Sequence, residues 1–224
     1  MKRYLIASIA LVVFSIPALS TAAAGRPGPY VSGFLGSSFA KDTTLNSFNA
    51  ITGNSFSDQV AFDPGVYVGG AGGYDFGFMR LEGELSYRQA GIDSVTATNG
   101  ERFRNIDGDL GAFATMFNVF FDIHNSSRVT PYLGGGIGFA TVHISNTYGY
   151  GSLQGYKKLY DDSSDTVFAS QVGAGMDVAI NSRYSLDIGY RYFITEKANL
   201  DGNIISSNVR FESHNAMVGF KMKF

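Results

Sequence analysis

The chain of 224 residues has no cysteine and no tryptophan, and only 16% of it is charged, 17 basic against 19 acidic side chains. Without cysteine there is no disulfide scaffold, no cysteine zinc site and no thiol nucleophile. A formal charge of −2 gives no reason to expect nucleic acid as a partner. Charge well under the usual ~25% does not suit a soluble helical enzyme. Beyond residue 24 no apolar run is long enough for a membrane-spanning helix, so the rest of the chain is either soluble or a barrel. What is abundant is glycine, 28 residues, and the aromatics, 19 Phe and 13 Tyr.

Residues 1–24 read as an export signal: Lys2 and Arg3, an apolar run to Leu19 broken by Ser8, Ser15 and Pro17, then STAAAG. Ala22 and Ala24 fit the small-residue positions before a cleavage site. The mature domain is expected over residues 25–224, with 15 basic and 19 acidic residues, a formal −4. The apolar run is too short for a membrane anchor, and the lack of cysteine excludes a lipoprotein anchor.

Periodicity decides the fold. In residues 79–88, Arg80, Glu82, Glu84, Ser86 and Arg88 alternate with Met79, Leu81, Gly83, Leu85 and Tyr87, the period of two of a strand with one polar and one apolar face. Residues 111–122, 184–194 and 214–224 repeat the pattern, and weaker versions fall at about 29–39, 65–76, 131–144 and 166–180. Tight links at Gly77, 124–129 and 181–183 alternate with long ones at about 40–64, 89–107, 145–165 and 195–212. Eight strands with short turns on one side and long loops on the other predict an all-β, eight-stranded antiparallel up-and-down transmembrane barrel. Its turns would be periplasmic and its four long loops extracellular. A soluble lipocalin-type barrel or β-sandwich shares the alternation, but its core would have to be the face that carries the ions. Aromatics near strand ends (Tyr30, Phe76, Phe78, Tyr87, Phe121, Tyr184, Phe220, Phe224) read as membrane-interface girdles. Glycines in GVYVGGAGGYDFG and PYLGGGIGFA are expected to make room for bulky lumen neighbours.

MFNVFFD at 116–122, TPYLGGGIGFA at 130–140, GAGMDVA at 173–179, SLDIGYRYF at 185–193 and the terminal Val218, Phe220, Met222, Phe224 pattern resemble small outer-membrane barrels of the OmpA-like and opacity or surface-antigen type. The likeness spans the mature chain and stops at the barrel of OmpA. It implies residence in the Gram-negative outer membrane among lipid and lipopolysaccharide. It also implies a C-terminal signal, Phe220 and Phe224, read by the outer-membrane assembly machinery. A structural or adhesive role as a monomer follows from the family type, with no cofactor and no metal.

On the lumen face stand Arg80, Arg88, Arg191, Lys221 and Lys223 against Glu82, Glu84, Asp122, Asp177 and Asp187. An eight-stranded barrel is just wide enough for side chains to fill, and confined ions are tolerable only when paired. A lumen plugged by paired charges is expected, with Glu82 and Glu84 facing Arg191 or Arg88. A small ion or solute channel is the alternative. A lipid-A-modifying enzyme is a further one, because His143, Ser145 and Asn146 resemble the His-x-Ser-Asn of the lipid-A deacylases. Here, however, the next acid is Asp161, across a loop, and His143 reads as a rim residue. His124 and His214 lie elsewhere in the chain, and Asp161, Asp162 and Asp165 lack the spacing of a calcium loop. No enzyme is expected.

Recognition would then fall to the loops. The third carries Tyr148, Tyr150, Tyr156 and Tyr160 beside Lys157 and Lys158, rigid aromatic contact groups next to charge that suit a host or extracellular protein or glycan. The first loop is polar, nearly neutral and reads as flexible.

Overall fold

A computed structural model describes residues 27–49, 53–123, 125–201 and 205–224; the signal segment and His124 lie outside the described residues. Eight long strands form the wall: β1 (Gly28–Ala40), β4 (Gly65–Asp75), β5 (Met79–Thr96), β7 (Asp109–Asp122), β8 (Val129–Ile144), β11 (Ser163–Ala179), β12 (Tyr184–Asp201) and β13 (Ile205–Lys223). Each pairs antiparallel with the next, and β1 pairs with both β4 and β13, so the ring closes.

The register fixes the shape. From Tyr30 the lateral partners run through Gly73, Glu82, Asn118, Gly136, Gln171, Phe193 and Ser213, and return to β1 at Ala40. That offset of ten residues around eight strands tilts them by about 40° and sets a Cα cylinder of about 8 Å radius. Only a few side chains fit across such a lumen. Two glycines show how tightly: a Cβ on Gly136 would collide with the Asn118 amide, and one on Gly175 with the Tyr132 hydroxyl.

The alternation read from the sequence is the alternation of the wall. Leu85, Phe113, Phe117, Ile137, Phe139, Val172, Ile188 and Val218 point outward, exposed, as an apolar band suited to hydrocarbon. Their sequence neighbours on the other face are buried in the lumen. Phe76, Phe78, Phe121, Tyr184, Phe220 and Phe224 rim one end, exposed, with Tyr184 stacked on Phe220 at 5.4 Å. Tyr30 is not part of this girdle: only 2% exposed, it points into the lumen and donates to Glu82 Oε2 at 2.7 Å. At the very start of a strand the sequence leaves either face open, and the register of β1 puts position 30 inside. Among the described residues no helix is long and apolar enough to cross a membrane, and the crossing elements are strands.

The long connections are largely sheet. In the first, β2 (Thr43–Asn49) and β3 (Ser55–Phe62) form a hairpin. It pairs with β13 on one side and β5 on the other, carrying the wall upward above β1 and β4. The expectation of a flexible first loop is therefore corrected: the free edges of the overlong β5 and β13 satisfy its backbone groups. The second and third connections contribute β6 (Arg102–Asp107), β9 (Thr147–Gly151) and β10 (Gly155–Tyr160), a small sheet hung from the end of β5. The fourth continues the β12–β13 hairpin.

Candidate functional site

Two places gather functional groups: the lumen and the sheet β6–β9–β10. The lumen divides in two along its axis. In its inner and middle part Glu84 accepts hydrogen bonds from Asn118 Nδ2 at 3.0 Å, Gln171 Nε2 at 2.9 Å and Tyr67 Oη at 3.2 Å, and pairs with Arg88 at 3.5 Å. Glu82 accepts from Tyr30 and from Asn118 Nδ2 at 3.1 Å. Arg88 also donates to the Gln171 Oε1 at 3.0 Å and Ser86 Oγ at 3.0 Å. Toward the inner mouth Arg80 pairs with Asp122 at 3.0 Å and Asp177 at 3.7 Å, Lys221 with Asp177, and Lys223 with Asp75 at 2.6 Å.

Of the two arginines expected to face Glu82 and Glu84, Arg88 makes the ion pair with Glu84; Arg191 feels both carboxylates but bonds elsewhere. Its partners are the Tyr132 hydroxyl at 3.4 Å, itself donating to Asp187 at 2.6 Å, and the face of Phe120, whose centroid lies 4.4 Å from the guanidinium. The same device recurs. Arg88 lies 3.9 Å from the Phe193 centroid and 4.6 Å from that of Tyr67, and Arg80 lies 4.5 Å from that of Tyr132. Each lumen arginine is buried with its Nε lacking a partner among the described residues. An aromatic face, which attracts a weakly hydrated guanidinium, takes that place. Asp75, Tyr30, Tyr67, Tyr132, Phe120 and Phe193 thus belong to a network that charge alternation alone did not reveal.

The outer part is different. From the level of Glu84 and Arg88 outward the lumen-facing side chains are mainly apolar: Ala112, Ala114, Met116, Ala140, Val142, Ile144, Val209 and Phe211 form one buried cluster. It continues out of the barrel into Leu45, Val60, Ile92, Val95, Leu110 and Leu200. Phe103 of β6 and Tyr160 of β10 close it from above, so the small sheet folds over the mouth.

Strand alternation splits the third-loop candidates. Tyr150 pairs with both Arg104 and Tyr156, and Tyr148 pairs with Lys158; these side chains share the outward face. Tyr150 and Tyr156 are exposed, and Tyr148 stacks on Tyr156 with centroids 5.9 Å apart. Lys158 pairs with Asp161 at 2.6 Å. Lys157 turns the other way by alternation, and Tyr160 does so because the register slips between Lys158 and Tyr160. Tyr160 is buried and donates to Asp58 Oδ2 at 2.9 Å, which removes it from the set of surface contacts. Burial is the main cause that pushes both the Asp58 carboxyl and the Tyr160 hydroxyl above their ordinary pKa values.

His143 lies 3.6 Å from Asp162. The Ser145 hydroxyl donates to Asp109 Oδ1 at 3.0 Å and accepts from the Asp109 N–H at 2.8 Å, so neither group's recorded partner is the other. His214 meets Tyr190 at 2.5 Å on the outer wall. Asp165 accepts from the Asn199 N–H at 2.8 Å.

The family model for the outer membrane protein beta-barrel domain matches residues 6–224. The chain is 27% identical to outer membrane protein PagN of Salmonella typhimurium, the alignment covering 84% of this chain and 83% of PagN. It is also 27% identical to the 31 kDa outer-membrane immunogenic protein of Brucella melitensis across the full length of both. Among solved structures, OprG from Pseudomonas aeruginosa superposes with a TM-score of 0.59 at 14% identity, covering 91% of this chain and 99% of that one. A closed eight-stranded ring, an apolar outer band and a whole-chain family match lead to one conclusion: the chain belongs to the outer membrane protein beta-barrel domain family and resides in the Gram-negative outer membrane.

Proposed function

We propose that this protein is a non-conducting, non-enzymatic surface barrel that presents β6–β9–β10 as a recognition platform to a protein or glycan outside the cell. The observation that carries the reading is the outward face of that sheet. Tyr148, Tyr150 and Tyr156 stand in register with Arg104 and Lys158, on a sheet whose other face is packed onto a buried core. Rigid tyrosines with two soft torsions give contact area at low entropic cost, and a fixed backing spares the ordering cost of a flexible loop. The lumen beneath is filled by paired charges, aromatics and apolar side chains, which supports a plug rather than a pore. The separate commitments of His143 and Ser145 speak against acyl transfer. The exposed Phe220 and Phe224 on the last strand fit a signal for the assembly machinery, and the name of the Brucella relative, an immunogenic protein, agrees with surface display. The export signal over 1–24 and a monomeric barrel complete the proposal.

The test is binding of Gram-negative cells displaying the barrel to cultured epithelial cells and to a glycan array. Replacing Tyr148, Tyr150 and Tyr156 together by Ser should abolish binding while the boiled-versus-unboiled gel shift of the folded barrel stays. Binding that survives the triple replacement would refute the platform.

A further inference from the structure

The underside of the same sheet offers a second feature, a groove of about 340 Å³ on the extracellular end, walled by β3, the β5–β6 turn and β10. Its volume is within the range of small-molecule sites. The floor is apolar, with Val95 and Phe103 almost wholly buried and Phe56, Ala97 and Leu159 beside them. The three walls are pinned to one another. Thr98 Oγ1 donates to the Ser57 carbonyl at 2.8 Å and accepts from the Ser57 N–H at 2.7 Å, joining the turn to β3. Tyr160 joins β10 to β3 through Asp58. Glu101 accepts the Leu153 and Gln154 N–H groups at 2.8 and 3.2 Å and Gln154 Nε2 at 3.1 Å, joining the turn to the β9–β10 tip. A groove held this way is formed before any ligand arrives.

At its edge lies Lys157. Its ammonium sits 5.0 Å from the Phe103 ring centroid and donates to the neutral Gln154 Oε1 at 2.5 Å. Among the described residues, the ion pairs of this region belong to its neighbour Lys158, with Asp161, and none is recorded for Lys157. Asp58, which also lines the groove, accepts the Tyr160 hydroxyl and feels the Lys157 charge without forming an ion pair with it. A cation held over an aromatic floor, with donors to spare, is matched by an anion attached to an apolar body.

We propose that this groove binds a small organic acid, one carboxylate on an aromatic or short alkyl body, with the carboxylate on Lys157 Nζ and the body over Phe103, Val95 and Leu159. The proposal deepens the recognition role of the same sheet by giving its inner side a ligand class. The two fail separately, because cell binding reads the outward tyrosines and the groove is read with a small probe.

The experiment titrates phenylacetate into the full mature barrel in lipid nanodiscs and follows the backbone amides of Val95, Phe103 and Lys157 by heteronuclear NMR. Phenylacetate should shift these amides saturably, while its neutral isostere phenylacetamide and the bodiless anion acetate should bind at least tenfold more weakly. Lys157→Gln should weaken phenylacetate at least tenfold, and Ala97→Phe, which fills the groove, should abolish binding, both with the gel shift of the folded barrel intact. Equal binding of phenylacetate and phenylacetamide, an unaffected Lys157→Gln variant, or shifts that do not saturate would overturn the assignment.

Discussion

The inner and outer halves of the lumen solve one packing problem with opposite chemistry. The inner half is filled by paired ions and polar groups, with Glu84 accepting from four side chains and arginines, their Nε atoms unbonded, stacked on aromatic rings. The outer half is an ordinary apolar core that runs on into the extracellular sheets. The polar half gives specificity of arrangement, because a missing partner leaves a charge buried. The apolar half gives the loops a hydrophobic core of their own, so that they fold as sheet.

The largest effect is expected where that difference is sharpest. Glu84→Leu strands the side chains of Asn118, Gln171, Tyr67 and Arg88 and should destabilise the barrel by about 3–5 kcal/mol, measured as the shift of the urea unfolding midpoint in lipid vesicles. Glu84→Gln, which keeps an acceptor, should lose distinctly less. Were both variants equally mild, the inner half would not be a mutually dependent network.

In the outer half, Leu110→Ala removes side-chain volume from a packed core and should lose about 2–4 kcal/mol. The loss should appear as trypsin sensitivity of the extracellular sheets while the membrane-embedded wall stays protected. A variant as protease-resistant as the parent would mean that the outer cluster does not hold the loops.

Between these and the surface lies the tether of β10. Tyr160→Phe deletes its bond to Asp58 and should destabilise the small sheet by about 1 kcal/mol, seen as faster amide exchange in β9 and β10 with no change in β7 or β8. Equal exchange in both would show that β10 is held by packing alone.

The smallest effect is a pH dependence. The Asp58 carboxyl has a folded pKa raised above its ordinary 3.8, chiefly by burial, so the folded state holds this proton more tightly than the unfolded one. Its contribution therefore increases stability as pH falls through the raised value toward 3.8. Asp58→Asn should flatten this dependence in amide exchange of β10, and an unchanged profile would assign it to another group.

The wall was legible in the sequence because each strand is long enough for a period of two to stand out, as in 79–88, where charge and grease alternate without a break. Its strand ends were less so: β5 runs to Thr96 and β12 to Asp201, past the point where lipid stops demanding an apolar face. The five extra strands escaped notice because they are short and mixed, TTLNSFN in β2 for example, and are held by the free edges of neighbours far away in the chain. Which loop tyrosines face outward also depended on register. The pairing of β6 with β9 slips between Arg104 and Asp107, where Asn105 adopts φ +50°, a left-handed conformation that asparagine tolerates. The apolar outer core was written in Ala112, Ala114 and Met116, on the same face as Asn118, whereas the expected plug of paired charges rested on the ions further along that face.

The most direct test of the proposed plug is single-channel recording of the refolded mature barrel in planar lipid bilayers. The filled lumen predicts a silent membrane at protein doses that give many insertions, verified by the gel shift of the recovered protein. Regular, reproducible conductance steps from the unmodified chain would contradict it and favour the alternative, a small channel.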